Sequence, residues 1–264
     1  MAGIDLSKMA KKLEKSEKEG RRSFFKPKEG TEYLLRVIPP ENGDPFHERF
    51  MHYGLGKAFV CPKKTYGDTH ECPACDLASA LWDEYNKTQD PKTKELAKSV
   101  GSKQRFYTQV LVREDEKAGA KIYSHGKTVY QTFLKLCNNA DYGDISHPTE
   151  GVDLTMKMYK PDKKAFPQTD ITPKRKSTPL VSADMEKEGW TVEKLMVEAP
   201  KVSDEVSELP VEEIQARVDG WTGQDKEEPE ETKYADKEED SQDSLADKLK
   251  AAGEEDKDKG KDED

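Results

Sequence analysis

The chain has 264 residues, of which 33% are hydrophobic and 37% are charged, and its formal net charge is −10. This length and apolar content predict one main domain with polar extensions. No apolar run reaches the length of a membrane helix and no apolar segment near the N-terminus is typical of a secretory signal, so we expect a cytosolic protein with no membrane partner.

The negative charge is concentrated at the C-terminal end of the chain. Residues 225–264 contain 18 Asp and Glu against 8 Lys, whereas residues 1–40 contain 10 Lys and Arg against 6 Asp and Glu. The remaining body is close to neutral and can therefore carry a positive groove for a polyanion. The acidic end has too little apolar content to offset the entropy of ordering, which predicts a disordered tail over 222–264.

The first half of the chain alternates helical and extended patterns. Charged and apolar residues alternate at helical spacing in the first 22 residues, which predicts a basic helical arm over 1–22. The core begins near residue 23, and residues 32–40 are typical of a strand that two prolines stop. A candidate metal loop follows, then a helix over 77–86 and a polar helical or loop segment over 87–104.

The second half contains two further strand patterns and several helical ones. Residues 105–113 and 121–125 flank a turn that contains Gly119, which predicts a β-hairpin. We expect a short helix over 128–136, a strand with alternating apolar residues over 152–159, and helices over 191–197 and 211–218. Short strands with helical insertions favour a mainly β, α+β fold with a small barrel.

Three of the four cysteines are clustered in the candidate metal loop. Cys61, Cys72 and Cys75 have the spacing C-x10-C-x2-C. A Cys-Pro-x-Cys turn directs two thiolates to one point, and thiolates in a tetrahedral arrangement select zinc. This spacing predicts a zinc site in a reducing compartment rather than a disulfide.

The sequence leaves three candidates for the fourth ligand: His52, His70 and His47. Spacing favours His52, which leaves room for a turn and a strand before the first cysteine, whereas His70 would need a sharp backbone bend. Three thiolates and one imidazole fill a tetrahedral site, so we predict one structural Zn²⁺. Glu71 is the only adjacent carboxylate that could serve a hydrolytic zinc, and no enzyme motif is present, so we predict no enzymatic activity.

Aromatic and basic residues are interleaved in the body of the chain. The aromatic members are Phe106, Tyr107, Tyr130, Tyr159 and Phe166, the basic ones beside them are Arg105, Lys127 and Lys160, and a further basic run is Lys174, Arg175 and Lys176. Single-stranded nucleic acid needs a positive track for its phosphates and aromatic faces for its bases. A strand aromatic is also commonly a core residue. The repeated pairing favours a nucleic-acid surface.

Taken together, these motifs resemble the single-stranded DNA-binding proteins of T-even-type bacteriophages. The resemblance covers most of residues 23 to about 180. It rests on the strand ending in Arg36-Val37-Ile38-Pro39-Pro40, on His52-Tyr53-Gly54, on the cysteine spacing with Cys72-Pro73-Ala74-Cys75, on Phe106 to Val112, and on Gly126 to Tyr130.

The resemblance implies an OB-like core over 23–221 with an inserted zinc subdomain at about 45–100. In that family an electropositive cleft between the two holds single-stranded DNA, and the family's zinc-binding histidine corresponds to His52. The resemblance further implies that the basic arm mediates cooperative self-association and that the acidic tail binds phage replication and recombination proteins. It places the protein in the cytoplasm of an infected bacterial host. We expect Lys174 to Lys176 to line the edge of the cleft.

The sequence therefore predicts a sequence-independent coat for single-stranded DNA in phage replication, recombination and repair. One alternative is a zinc-stabilised protein-interaction adaptor whose working part is the acidic tail. A zinc-dependent nuclease that uses Glu71 is a second alternative. Nothing in the sequence distinguishes DNA from RNA as the ligand.

Overall fold

A computed structural model describes residues 23–161 and 166–223, and its strands pair in a single sheet of eight. The strands are β1 (Phe24–Phe25), β2 (Glu32–Val37), β3 (Phe46–His52), β4 (Phe59–Val60), β5 (Lys103–Val112), β6 (Ala120–His125), β7 (Val152–Tyr159) and β8 (Gln168–Ser177). Together with the helices below, they make a mixed α+β architecture.

Strand β5 is the centre of the sheet. Along one edge its first half pairs with β3 and its last residues pair with β2, and along the other edge it pairs with β6. The order then continues from β2 to β7 and β8, while β1 pairs in parallel with β6 and β4 pairs with β3. Among the described residues no ladder joins β1 to β8, so the pairings describe an open sheet, and the OB-like barrel stays a prediction.

Most of the strand predictions are confirmed. The strand over 32–40 is β2, the hairpin over 105–125 is β5 and β6, and the strand over 152–159 is β7. A 3-10 turn, Arg113–Ala118, joins the two hairpin strands. Strands β3 and β8 are not among the predicted strands. Neither alternates apolar and polar residues cleanly, and β8 is mostly exposed, so the period-2 signal is weak in both.

Eight helices are present in the described part of the chain. They are α1 (Pro62–Tyr66), α2 (Pro73–Thr88), α3 (Pro91–Val100), α4 (Lys127–Cys137), α5 (Ala183–Lys187), α6 (Val192–Glu198), α7 (Val202–Glu205) and α8 (Val211–Gly223). The helices predicted over 77–86, 128–136, 191–197 and 211–218 are confirmed as α2, α4, α6 and α8. None of the described helices is long and apolar enough to span a membrane.

The boundary between α2 and α3 follows from local chemistry. Gln89 adopts a left-handed conformation with φ 54°, which ends α2. The Asp90 side chain then accepts hydrogen bonds from the backbone N–H groups of Lys92 and Thr93, and Pro91 occupies the first turn. An N-cap followed by proline is a strong helix start, so the polar segment 87–104 contains a helix rather than a loop.

The main hydrophobic core lies between the sheet and α4. Val129 and Phe133 of α4 pack against buried residues of the sheet that include Phe46, Val110 and Leu154. Burial of this face follows from the helical spacing of the apolar residues on α4. Lys127, the first residue of α4, therefore belongs to a helix that packs against the sheet.

A second core lies in the insert, which we define as residues 53–102 between β3 and β5. It contains buried residues of β4, α2 and α3, and two residues of α8, Ile214 and Val218, complete it. The sequence reading placed the zinc subdomain at about 45–100 and did not assign α8 to it. This helix comes from more than 100 residues further along the chain, which sequence pattern alone does not reveal.

Several predictions fall outside the described residues. These are the helical arm over 1–22 and the acidic tail from residue 224 onward. Residues 222 and 223, which the sequence assigns to the tail, belong to α8.

The fourth cysteine, Cys137, lies at the end of α4 and has an exposed side chain.

His125 is a buried titratable group at the end of β6. Its Nε2 lies 2.9 Å from the Thr108 hydroxyl, and its ring is surrounded by Phe106, Tyr123 and Phe133. Burial lowers the pKa of His125 to about 3, because the aromatic surroundings disfavour the charged imidazolium. The ring is therefore neutral at physiological pH.

We expect neutral His125 to make folding stability depend on pH. The folded-state pKa of about 3 lies below the ordinary value of 6.5, so between these values the unfolded chain binds more protons than the folded one. The contribution of neutral His125 to the free energy of unfolding is fully present above pH 6.5 and is lost as the pH falls towards 3. In urea titrations between pH 6.5 and 4, His125→Gln should flatten the fall of the unfolding free energy by up to about 1.4 kcal/mol per pH unit.

The control for this experiment is His70→Gln, since the His70 ring is exposed. Loss of a bound metal at acidic pH affects all three proteins, so the comparison is between their slopes. Equal slopes in His125→Gln and the wild type would contradict the assignment.

Candidate functional site

Four side chains converge between the sheet and the insert: His52, Cys61, Cys72 and Cys75. Their potential ligand atoms all lie within 4.8 Å of one another. The Cys61 and Cys72 Sγ atoms are 3.8 Å apart, and the His52 Nε2 atom lies 3.4 Å from the Cys72 Sγ and 3.7 Å from the Cys75 Sγ. This is a cluster of one imidazole and three thiols that can hold a metal ion.

The ends of four elements place these side chains. His52 is the last residue of β3, and Cys61 follows β4 and caps the start of α1. Cys72 is the N-cap of α2, and Cys75 lies in its first turn. Because Pro62 and Pro73 each begin a helix immediately after a cysteine, each thiol is fixed at a helix start.

The His52 ring is oriented by its second nitrogen. Nδ1 lies 2.7 Å from the Val100 carbonyl oxygen, which can only accept, so Nδ1 carries a proton and Nε2 faces the thiols. The ring also stacks on Phe59, with 5.2 Å between ring centroids. Gly54 allows this geometry, because a Cβ there would lie 2.4 Å from the Ser99 carbonyl oxygen. This close approach explains the glycine of the His52-Tyr53-Gly54 motif.

The spacing of the donor atoms fits zinc. A tetrahedral zinc with Zn–S and Zn–N bonds of ordinary length has S···S separations of about 3.8 Å and S···N separations of about 3.6 Å. The Cys61–Cys72 and His52–thiol distances agree with these values, while the Cys61–Cys75 distance of 3.3 Å is shorter. Three thiolates with one imidazole are a typical donor set for structural zinc.

Electrostatics in the cluster already favour a thiolate. Hydrogen bonding with the Cys72 and Cys75 thiols lowers the pKa of the Cys61 thiol. Burial opposes protonation of His52, but hydrogen bonding with Cys61 and Cys72 raises its pKa overall to about 9. A cation bound here would take the place of protons on the thiols and on the His52 Nε2 atom, so its binding would release protons.

The other histidine candidates lie outside the cluster. His70 is exposed, and its Nδ1 atom is 3.3 Å from the Thr69 hydroxyl. His47 is part of β3 but is not among the clustered residues. Glu71, the carboxylate considered for a hydrolytic site, is also exposed and outside the cluster. The structure therefore brings His52, and neither alternative, to the three cysteines.

The aromatic residues predicted to contact nucleic acid divide into buried and accessible ones. Phe106 is 2% exposed and Tyr107 is 4% exposed, on opposite faces of β5. Tyr130 of α4 is partly exposed and stacks on Phe106, with ring centroids 3.9 Å apart and planes 8° apart. The buried Phe106 ring thus packs against one face of the Tyr130 ring. Tyr159, the last residue of β7, and Phe166, shortly before β8, are also partly exposed.

The basic residues divide in the same way. Arg105 is 5% exposed and lies on the same face of β5 as Tyr107. The exposed basic residues are Lys127 at the start of α4, Lys160 after β7, and Lys174, Arg175 and Lys176 on β8. Strand β8 pairs with β7 alone among the described strands, so it is an edge strand with a cationic end.

The sequence reading missed a further aromatic and basic pair. Arg49 of β3 lies over the ring of Tyr66, with its guanidinium carbon 5.9 Å from the ring centroid. Tyr66 is 44% exposed and its hydroxyl donates to Glu208. Arg49 also pairs in register with Arg105. No local signal identified this group, because 17 positions separate Arg49 from Tyr66 in the sequence.

Comparison with protein families identifies the family of this chain. The family model described as gp32 DNA binding protein like matches residues 28–218, which is well over half of the chain. The matched range includes all four cluster residues and extends from the segment before β2 into α8. A search of curated proteins found no match.

We expect metal binding to depend on His52 and not on His70. Purified protein should contain about one zinc per chain, and His52→Ala should lose most of it because the fourth ligand and the contact with Val100 are removed. His70→Ala should keep its zinc, since its side chain lies outside the cluster. Elemental analysis and thermal unfolding with and without a chelator measure both effects. Equal zinc content in the two variants would contradict this assignment.

Proposed function

Because the chain belongs to the gp32-like family of DNA-binding proteins, we propose that it is a sequence-independent single-stranded DNA-binding protein. We further propose that it coats exposed strands during phage DNA replication, recombination and repair, in the cytoplasm of the infected bacterium, without catalysing a reaction. The observation that carries the proposal is the family match over residues 28–218.

The distribution of exposed groups supports binding of a single strand. Partly exposed Tyr130, Tyr159 and Phe166 offer ring faces to unpaired bases, and exposed lysines and Arg175 offer charge to the phosphates. Stacking is nearly indifferent to base identity, which suits a coat protein. Phe106, Tyr107 and Arg105 are buried, so we assign them to the support of this surface rather than to direct contact with bases.

In this proposal the metal is structural. His52, Cys61, Cys72 and Cys75 would hold one zinc ion. Bound zinc would cross-link the end of β3 to the starts of α1 and α2 and so stabilise the insert against the sheet. The four protein ligands leave no position for a reacting water, which favours a role in architecture.

The proposal extends to the fold and to both ends of the chain. The sheet would form an OB-like core, and the DNA would lie in a cleft between this core and the insert. The basic arm over 1–22 would mediate self-association along DNA, and the acidic tail would bind replication and recombination proteins. These last two roles follow from the family resemblance and from charge.

We expect tight and salt-dependent binding of a mixed-sequence single-stranded oligonucleotide, and much weaker binding of the matching duplex. The variant Lys174→Gln/Arg175→Gln/Lys176→Gln should bind less tightly, because it loses contacts with phosphates. Each lost contact should also reduce the steepness of log K against log salt by about 0.7. Three contacts would lower the slope by about 2. Fluorescence anisotropy at several salt concentrations measures the slope.

The matched control removes three exposed lysines elsewhere, in Lys92→Gln/Lys187→Gln/Lys201→Gln. It should keep the wild-type slope, because none of its three lysines belongs to the proposed DNA-binding surface. Both variants lose three positive charges, so the comparison separates local phosphate contacts from general loss of charge. A wild type that binds no oligonucleotide would favour the adaptor alternative. Oligonucleotide cleavage that requires Glu71 would favour the nuclease.

We expect the acidic tail to compete with DNA. Its 18 carboxylates can occupy the positive surface as a phosphate chain does, until DNA displaces them. Truncation after Gly223, where α8 ends, should therefore tighten binding at low salt and have a smaller effect at high salt. The same titrations measure this change. Equal affinity of the truncated and full-length proteins at low salt would rule out competition.

A further inference from the structure

A cavity of about 400 Å³ lies between helices of the insert and the start of β5. Helix α1 contributes Lys64, α2 contributes Cys75 and Trp82, and α3 contributes Lys98. Ser102, just before β5, and Lys103, its first residue, complete the set that the argument uses. Its volume is in the range of cavities that hold small ligands. No local sequence motif marks this place as a site.

The charge of the cavity wall has one sign. Three lysines from three different elements line it, and no Asp or Glu is among the described residues that do so. The Lys64 Nζ atom lies 6.0 Å from the Phe50 ring centroid, and the Lys98 Nζ atom lies 3.7 Å from a Glu95 carboxylate oxygen outside the cavity. Three lysines on one wall give the cavity a positive lining, which is suited to a phosphate.

Two further features of the wall are suited to a nucleotide. Trp82 is partly exposed and lines the cavity, and a large aromatic ring is a good stacking surface for a base. The Ser102 hydroxyl is buried and has no hydrogen-bond partner among the described protein atoms. A ligand oxygen at this end of the cavity would satisfy it after rotation of the side chain.

We propose that this cavity is a subsite for one nucleotide of the bound single strand. The base stacks on Trp82, and the neighbouring phosphate lies among Lys64, Lys98 and Lys103. This inference rests on the proposed function and adds a contact on the insert to those on the sheet and on β8. Because Cys75 lines the same cavity, the metal cluster holds one wall of the subsite in place.

The stacking contact can be tested with full-length protein labelled with 5-fluorotryptophan. The chain has three tryptophans, Trp82, Trp190 and Trp221, and single Trp→Phe variants assign their fluorine signals. A stoichiometric oligo(dT) should shift the Trp82 signal and leave the Trp190 signal in place, since Trp190 packs in a separate cluster beside α5 and α6. An unshifted Trp82 signal on DNA-bound protein would overturn the subsite and leave the proposed function intact.

The same spectra distinguish the strand from a free nucleotide. Thymidine monophosphate at the concentration of the oligonucleotide should not shift the Trp82 signal, because one isolated contact binds weakly. A shift with the mononucleotide equal to that with oligo(dT) would overturn the strand subsite. If the protein binds no oligonucleotide, the proposed function fails and this inference fails with it.

Affinity measurements give an independent test of both contacts. Trp82→Leu should weaken oligonucleotide binding by roughly 5-fold or more, while Trp82→Phe, which keeps a stacking ring, should lose less. Lys98→Gln should lower the salt slope by about 0.7, and Lys92→Gln on the same helix, outside the cavity, should not. Zinc content and thermal unfolding identify a variant that has lost its fold. Folded Trp82→Leu and Lys98→Gln proteins with wild-type binding would overturn the proposal.

Discussion

Strand β5 hydrogen-bonds along one edge first to β3 and then to β2, and along the other edge to β6. These pairings set the positions of two parts of the molecule, the cluster of His52 with three cysteines and the basic end of β8. Through β3, the sheet sets the position of His52 and hence of the metal cluster. Through β2 and β7, it sets the position of β8 and its basic end. A shift of one residue in β5 would reverse the faces of all its side chains, so register is strongly specified.

A partly buried ion pair supports the second of these parts. The Arg113 guanidinium at the end of β5 binds Asp153 of β7, with an N···O distance of 2.9 Å, and donates to the carbonyl oxygens of Pro179 and Leu180. Burial opposes the charge of Arg113, but its hydrogen bonds to Asp153 and Glu116 raise its pKa overall. The chain that leaves β8 is therefore fixed to the sheet. Such a pair contributes more to a defined position than to net stability, because desolvation offsets much of its attraction.

Burial separates residues of the same chemical type into different roles. Phe106 and Tyr130 form one stack, but only Tyr130 has a face near the solvent. Arg105 is buried on the sheet, whereas the run of Lys174 to Lys176 is exposed on an edge strand. A buried aromatic residue contributes to stability and orientation, and an accessible one can bind a base.

The sequence by itself determined the features that depend on local spacing. The three cysteines, the proline-led helix starts, β2, the β5–β6 hairpin and β7 all have short-range patterns, and spacing favoured His52 over His70. Tertiary structure decided what depends on contacts between distant segments. These are the packing of α8 on the insert, the position of Arg49 over Tyr66, the cavity beside Trp82 and the burial of Phe106, Tyr107 and Arg105. Whether an aromatic residue on a strand faces the core or the solvent depends on which elements cover that face, and residue spacing along one strand does not contain that information.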